Sequence, residues 1–348
     1  MKFGIIGSGM IARFHAKAIE AMPGSELRSI YSRNAASSGT LREEFGCQVF
    51  DNLDAFLTDP ELEIVTIATP SGAHLEPSVA AARAGKHVIC EKPLEITTNR
   101  VDQMAAVGKE CGVTISGIFN RRFNPGLATL KRAVDEGRFG QISLADAYIK
   151  WYRDQDYYDS GQWRGTWELD GGGALMNQSI HAIDQLLYVA GPIKSVVATT
   201  TTLAHQRIEV EDTAVALLEF ENDAKGVIQG STACWSKNGH AAEVQICGDN
   251  GSAFLADDKF RIWEFKEEGP EDERIRADHM ISSDVIGQGA NDPSAIDFSG
   301  HQRNFEDVVQ AIQENREPLV NATEARKAVA LINAIYESAR NDSKKVLL

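Results

Sequence analysis

The chain predicts an α/β protein in two domains: a doubly wound parallel sheet over residues 1–120, then an α+β domain over 121–348 with a large open, mostly antiparallel sheet. Three observations carry this expectation. The length of 348 residues matches two domains at roughly 150 residues each. Through the first 120 residues short β-branched runs alternate with helical stretches, the rhythm of a parallel sheet covered by helices. Beyond Asn120 the pattern turns to longer runs in which apolar and polar residues alternate, as antiparallel hairpins require.

In the first domain the expected strands are Lys2–Ile6, Leu27–Tyr31, Gln48–Phe50, Ile64–Ala68, His87–Cys90 and Val113–Gly117. Helical segments fall between them near Ile11–Ala21, Thr40–Phe45, Leu53–Leu57, His74–Ala84 and Thr98–Lys109, with Thr97 or Thr98 as the cap of the last. After the segment Phe119–Pro125 comes a helix near Gly126–Asp135. Strands follow at Ile142–Trp151, Ile193–Thr202, Thr213–Phe220, Lys225–Ala233, Ala241–Cys247 and Ser252–Ala256, the last two joined by the turn Gly248-Asp249-Asn250-Gly251. Helices near Asn304–Glu314 and Thr323–Ala339 close the chain, and the acidic, weakly periodic stretch Glu267–Ser299 reads as loop.

Composition narrows the function. With 43% hydrophobic and 24% charged residues the chain can bury a core, which excludes a disordered protein. Against 35 basic residues stand 50 acidic ones, a formal charge of -15. No basic patch relieves it, so a nucleic-acid partner is not expected. The five cysteines Cys47, Cys90, Cys111, Cys234 and Cys247 form no C-x-x-C or Cys/His pair at metal spacing, so they read as reduced thiols and no metal is expected. No apolar run approaches the roughly 18 residues of a membrane span. Lys2 and the run Phe3–Ala12 imitate the front of a secretory signal, but Arg13, His15 and Lys17 interrupt it too early. The expected location is the cytoplasm.

Gly7-Ser8-Gly9-Met10-Ile11-Ala12 follows the first strand and opens the first helix, which is the G-x-G-x-x-A dinucleotide fingerprint. Gly7 permits the tight turn, Gly9 lets backbone approach a pyrophosphate, and Ala12 lets helix and strand pack closely, while the helix start supplies free N–H groups. At the end of the second strand, where an acidic residue would select NAD, the chain reads Tyr31-Ser32-Arg33-Asn34. Ser32 and Arg33 suit a 2′-phosphate, so NADP is favoured over NAD; the alternative is that Arg33 is a solvated turn residue.

Two further strand ends, Thr69-Pro70 and Glu91-Lys92-Pro93, lie at the sheet edge where doubly wound proteins bind ligands. The fingerprint, the run from Thr69-Pro70 to His74, the segment Ala84–Val88, Glu91-Lys92-Pro93 and the downstream run Gly171–Asp184 together resemble the Gfo/Idh/MocA family of sugar and polyol oxidoreductases. The resemblance covers essentially the whole chain. It implies a Rossmann domain followed by an α/β domain whose open sheet packs on another subunit, giving a homodimer or homotetramer. It implies oxidation of a ring hydroxyl, or reduction of a ring ketone, with NAD or NADP, on a sugar, glycoside or cyclitol, including a nucleotide sugar. By position Lys92 corresponds to the family's active-site lysine and His181 to its active-site histidine.

Hydride transfer from a carbinol leaves a hydroxyl proton that a base must accept. Lys92 suits this when its pKa falls well below the free value of about 10.4; a structural ion pair with Glu91 is the alternative role. Asn177, His181 and Asp184 share one face at helical spacing. Many polyol dehydrogenases of the family carry Asp where this chain has Asn177, which makes Lys92 the better base and is similar to the branch that oxidises nucleotide-activated N-acetylhexosaminuronates. The aromatic stretch Trp151, Tyr152, Tyr157, Tyr158, Trp163 and Trp167, with Arg122, Arg153 and Arg164, suggests a sugar-stacking loop or else an apolar interface. Trp163 and Arg164 are the preferred substrate contacts, and Arg122, Asn177, His181 and Asp184 complete the substrate group. His74 and Asn120 are placed near the cofactor. His15 reads as structural, and His205, His240 and His301 have no evident partners. A glycosidase working by transient oxidation and a dinucleotide- or sugar-sensing protein are the rival functions.

Overall fold

The computed structural model describes residues 1–34, 38–281 and 297–348, which form two compact units. The first comprises residues 1–120 and 297–329, the second 121–296 and 330–348. Residues 297–329, expected with the second domain, therefore pack with the first.

The first unit holds six parallel strands, β1 (Lys2–Ile6), β2 (Glu26–Tyr31), β3 (Gln48–Phe50), β4 (Ile64–Ile67), β5 (His87–Cys90) and β6 (Ile115–Gly117), in the order β3-β2-β1-β4-β5-β6. The order reverses at β1, so the crevice for a ligand opens beside the C-terminal ends of β1 and β4. Helices α1 (Met10–Ala21), α2 (Gly39–Phe45), α3 (Leu53–Leu57), α4 (Leu75–Arg83) and α5 (Thr98–Cys111) connect the strands. Thr97 caps α5 by accepting from the Arg100 N–H, and Gly112 ends it in the left-handed region. The core joins Phe3, Ile5, Ile64 and Ile89 of the sheet to Ala12, Ala16 and Ile19 of α1. Phe305 and Val308, from the late segment, complete it.

The second unit begins with α6 (Pro125–Asp135), β7 (Ile142–Lys150) and α7 (Gln155–Asp159). A π-helical turn at Ala174–Ser179 then runs directly into α8 (Ile180–Ala190). Strands β8 (Ile193–Thr201), β9 (Thr213–Phe220), β10 (Lys225–Ser231), β11 (Glu243–Gly248), β12 (Gly251–Ala256) and β13 (Lys259–Phe265) follow, then α9 (Asp272–His279), α10 (Ser299–Glu314) of the first unit, α11 (Ala322–Arg340) and β14 (Val346–Leu347). The sheet runs β13-β12-β11-β7-β10-β9-β8-β14. Every pairing is antiparallel except β7 with β10. One face is buried through Ala145, Ala147, Ala216, Leu218, Ile228 and Val244. The other presents Leu144, Val215 and Leu217, which are 48%, 38% and 59% exposed.

Two of the unexpected elements have identifiable causes. Strand β13 escapes the alternation test because its pairing with β12 shifts register, so that Phe260 and Trp263, three apart, are both buried. Helix α9 lies inside the stretch read as loop and buries only Asp272 and Ile275. It is anchored by the Asp272 carboxylate, which accepts from both Arg138 guanidinium nitrogens, from the Trp263 indole N–H and from the Gly269 N–H. Residues 282–296 of that stretch lie outside the described residues. No helix among the described residues is long and apolar enough to cross a membrane.

Candidate active site

In the first unit all the expected cofactor residues cluster at the C-terminal ends of the parallel strands. Gly7 takes φ +121°, and a Cβ there would meet the Ala68 carbonyl oxygen at 2.5 Å. A Cβ on Gly9 would meet nothing within 4 Å. Gly7 is thus glycine for the turn, and Gly9 leaves bare backbone toward open space. No side chain caps α1, and its first turn carries no acidic residue; its N–H groups and dipole are left for an anion, which fits a dinucleotide pyrophosphate. Met10 and Ile11 open the helix, with Met10 half exposed. Ser8 and Ser32 hydroxyls lie 3.0 Å apart, joining the fingerprint turn to the end of β2, where Arg33 is exposed.

Between the ends of β4 and β5 stands His74, buried, with Nδ1 2.9 Å from the Pro93 carbonyl oxygen and Nε2 3.0 Å from that of Thr69. It ties the Thr69-Pro70 segment to the one carrying Lys92. Thr69 donates its hydroxyl to the Ala73 carbonyl.

Glu91 sets the geometry of Lys92. Its carboxylate is buried, and Oε2 accepts from the Lys92 backbone N–H at 3.0 Å. Oε1 accepts from His15 Nε2 at 3.0 Å and His301 Nε2 at 3.1 Å. The far nitrogens are also satisfied: Thr66 Oγ1 lies 3.1 Å from His15 Nδ1, and the Asn120 amide 3.4 Å from His301 Nδ1. With both imidazoles neutral and protonated on Nε2, every donor meets an acceptor. His15, His301 and Glu91 also place ligand atoms within 4.8 Å of one another, close enough for a metal. Complete hydrogen bonding accounts for the group without one. His301, expected to lack a partner, has two.

Electrostatics agree. Burial pushes the Glu91 carboxyl up, but hydrogen bonds from His15 and His301 outweigh it and hold it well below the usual carboxylate range. Burial pulls His15 down against the opposing pull of Glu91.

In the second unit the expected substrate group separates. Arg122 and Asp184, both buried, form a bidentate pair, Nε to Oδ2 at 2.9 Å and Nη2 to Oδ1 at 2.7 Å. The Arg122 guanidinium also stacks on Tyr188, one turn beyond Asp184 on α8. The pair, expected among the substrate contacts, braces α8 against the segment of Arg122. Asn177 stands in the π-turn and donates to Asp170 Oδ1 at 2.5 Å, while its oxygen accepts from Gln178. The π-turn breaks the α-helical spacing that placed Asn177, His181 and Asp184 on one face. His181, half-buried, is the second residue of α8.

The aromatic stretch does not form one stacking surface. Trp151 is buried and donates to the His240 carbonyl. Trp167 packs edge-on to Tyr336 under Arg340. Arg153 is buried, bonded to Gln178 and stacked between Trp151 and Tyr157. Trp163 and Arg164 remain half-buried, with Arg164 lying over Tyr157 and Trp163 and bonded to Ser160. His205, expected without a partner, bonds Asp212 through Nδ1 and the Arg153 carbonyl through Nε2.

A parallel sheet with an uncapped fingerprint helix and a strand-end lysine defines a dinucleotide-dependent oxidoreductase. Residues 1–119 match the model of an oxidoreductase family with an NAD-binding Rossmann fold, and residues 127–254 match the GFO/IDH/MocA C-terminal domain. The chain belongs to the Gfo/Idh/MocA family of NAD-dependent sugar and polyol oxidoreductases. It is 28% identical over 288 residues to levoglucosan dehydrogenase of Pseudarthrobacter phenanthrenivorans, covering 72% of each chain. It is 27% identical over 259 residues to myo-inositol 2-dehydrogenase of Thermotoga maritima, covering 73% of this chain and 75% of that one. Among solved structures it resembles the WlbA dehydrogenase from Bordetella pertussis in complex with NADH and UDP-GlcNAcA, with TM-score 0.89 and 32% identity over 100% of this chain and 97% of that one.

The histidine–carboxylate cluster predicts acid sensitivity. The unfolded chain protonates His15 below about pH 6.5 while the folded chain resists it, so stability is full above that value and falls as pH drops through it. A second loss sets in below about 4.3, where unfolded Glu91 takes a proton that folded Glu91 refuses. His15→Gln keeps a donor to Glu91, and the thermal midpoint of that variant is expected to fall less steeply between about pH 7.5 and 5.5. An unchanged slope assigns the acid sensitivity elsewhere.

Proposed function

We propose that this protein oxidises a ring secondary hydroxyl of a sugar, or reduces the corresponding ketone, with Lys92 carrying the proton and His181 and Asn177 assisting. The observation that carries the reading is the half-buried Lys92 at the end of β5, its backbone fixed by Glu91. When bound, a nicotinamide dinucleotide accepts or returns the hydride. The turn Gly7–Ile11 and the start of α1 hold its pyrophosphate, and the segments of Thr69, Pro70, His74, Glu91 and Asn120 line the same strand ends. Lys92 takes the hydroxyl proton as the carbon–oxygen double bond forms. Trp163 and Arg164 are assigned to the sugar.

A nucleotide-activated hexosaminuronate is the favoured substrate class. The full-length likeness to an enzyme holding UDP-GlcNAcA supports it, as does an amide rather than a carboxylate at Asn177. Ser32 and Arg33 support NADP as the preferred cofactor. The open sheet face bearing Leu144, Val215 and Leu217 supports a second copy of this chain as its partner, since Val215 and Leu217 alternate on one face of β9 and Leu217 opposes Val197 and Val227. Five unpaired cysteines support a reducing compartment such as the cytoplasm.

Lys92→Met is expected to keep cofactor affinity and lose kcat by about 10²–10⁴-fold, the usual share of proton transfer. Nicotinamide absorbance, followed with sugars, cyclitols and sugar nucleotides, reads it out. Unchanged turnover removes Lys92 from the mechanism, and release of free sugar without net reduced cofactor selects a glycosidase instead. Arg33→Ala should raise KM for NADP by about tenfold or more, the worth of a charge-assisted phosphate contact, and leave that for NAD unaltered; a wild-type preference for NAD that persists in the variant overturns the assignment. Light scattering should show Leu217→Glu shifted toward monomer, and an unaltered mass would place any subunit contact elsewhere.

A further inference from the structure

The run Gly171-Gly172-Gly173 is built around a buried carboxylate. A Cβ on Gly172 would lie 2.0 Å from the Tyr336 hydroxyl oxygen, and one on Gly173 would lie 1.9 Å from the Glu211 carbonyl oxygen. Only glycine admits neighbours this close. Those neighbours hold the start of the helical segment by three hydrogen bonds, and a fourth joins them to each other. Glu211 Oε2 accepts from Gly173 N–H at 3.0 Å, and Oε1 accepts from Leu175 N–H at 2.8 Å and from the Tyr336 hydroxyl at 3.0 Å. The Glu211 carbonyl accepts from Ala174 N–H, also at 3.0 Å. Three successive backbone N–H groups thus converge on one residue, and the anion site that a helix start offers is filled by the protein's own side chain.

From that start the π-turn Ala174–Ser179 continues without interruption into α8, bringing Asn177 and then His181. The segment has little other freedom: Ser179 donates its hydroxyl back to the Ala174 carbonyl, and a Cβ on Gly230 of β10 would meet Ser179 Oγ at 2.6 Å. Glu211 is only 3% exposed, so it does not reach substrate.

We propose that Glu211 is a positioning residue for the reaction, gripping the first turn of the helical segment so that Asn177 and His181 stand in register for the sugar. This rests on the reading that His181 and Asn177 serve the chemistry. A glutamine at 211 has one acceptor oxygen where the carboxylate has two, and its amide would face an N–H group. One backbone donor would be left buried and unpaired, and the turn would move to satisfy it.

Glu211→Gln is tested in the wild type and in a His181→Gln background, measuring kcat and KM for sugar and cofactor. The expected result is a kcat lower by about 10–100-fold, the scale of a displacement near 1 Å at a reacting centre, with the cofactor KM unchanged. In the His181→Gln background the same substitution should cost clearly less, because one of the two residues it places is gone. A purely structural role predicts equal losses in both backgrounds, and that result overturns the proposal, as does a rise in the cofactor KM. If His181→Gln lowers kcat and Glu211→Gln does not, the assignment of His181 stands and that of Glu211 falls. If His181→Gln leaves kcat unaltered, both fall. Should Glu211→Gln reduce the folded yield, Tyr336→Phe removes one donor and keeps both backbone bonds. A kcat loss of about threefold in the wild type, absent in the His181→Gln background, then supports the proposal, and no loss or an equal one overturns it.

Discussion

A carboxylate sealed from water must be answered by protein donors, and in the first unit that requirement organises the site. Glu91 sits at the end of β5 with two imidazoles and one backbone N–H directed at it. Desolvating a carboxylate costs several kcal/mol (about 3–5 if a partner is then lost). Hydrogen bonds to a charged group return about 1.5–3 kcal/mol each, so three donors together offset a cost of that order. Each donor comes from a different part of the chain: His15 from the helix that opens with the fingerprint, His301 from α10 and the Lys92 N–H from the strand end itself. The late helix is drawn into the first unit by this bond and by the stacking of Phe305 on Phe3 at 6.2 Å and edge-on to His15 at 5.3 Å. Holding the lysine's backbone and closing the dinucleotide domain are consequences of one buried charge.

The second unit solves a similar problem with other donors. Glu211 is answered by two backbone N–H groups and a phenol rather than by imidazoles. Burial wins there, pushing its carboxyl up to about 7 against those bonds, whereas Glu91 goes down. The difference follows from the donors: burial is outweighed at Glu91 by the side-chain hydrogen bonds from His15 and His301, while the backbone N–H groups and Tyr336 do not outweigh it at Glu211. In both units the carboxylate grips backbone next to the residues assigned to the reaction.

What the sequence discloses depends on how local its physical cause is. The six parallel strands were expected to within one or two residues at each end, because β-branched runs and the 3.6 period of the helices are written in neighbouring residues. The fingerprint turn, the Thr97 cap and the strand-end lysine are local in the same sense. His301 reaches Glu91 across 210 positions, Arg122 reaches Asp184 across 62, and Glu211 reaches Gly173 across 38. No spacing rule connects such pairs, so Arg122 and Asp184 read as free site residues and His301 as a residue with nothing to do. The π-turn is illegible for a different reason: one extra residue per turn leaves the apolar pattern almost intact while rotating Asn177 away from the α-helical register. Only the glycine run hinted at a close approach there, and it did not say of what.

That close approach also bears on why an amide occupies position 177. The Asn177 amide donates to Asp170, a carboxylate that is 1% exposed and also accepts from the Gly165 N–H at 2.9 Å. A carboxylate at 177 would face Asp170 at hydrogen-bond distance, and two such groups cannot both ionise in a buried setting. The negative charge that many polyol dehydrogenases are expected to carry four residues before the histidine is here displaced to Asp170, with the amide between it and the start of α8. An amide relays orientation without charge: its N–H₂ is fixed by Asp170, so its oxygen must point the other way, where Gln178 supplies a donor. The choice of an amide at 177 thus follows from placing one buried aspartate at 170.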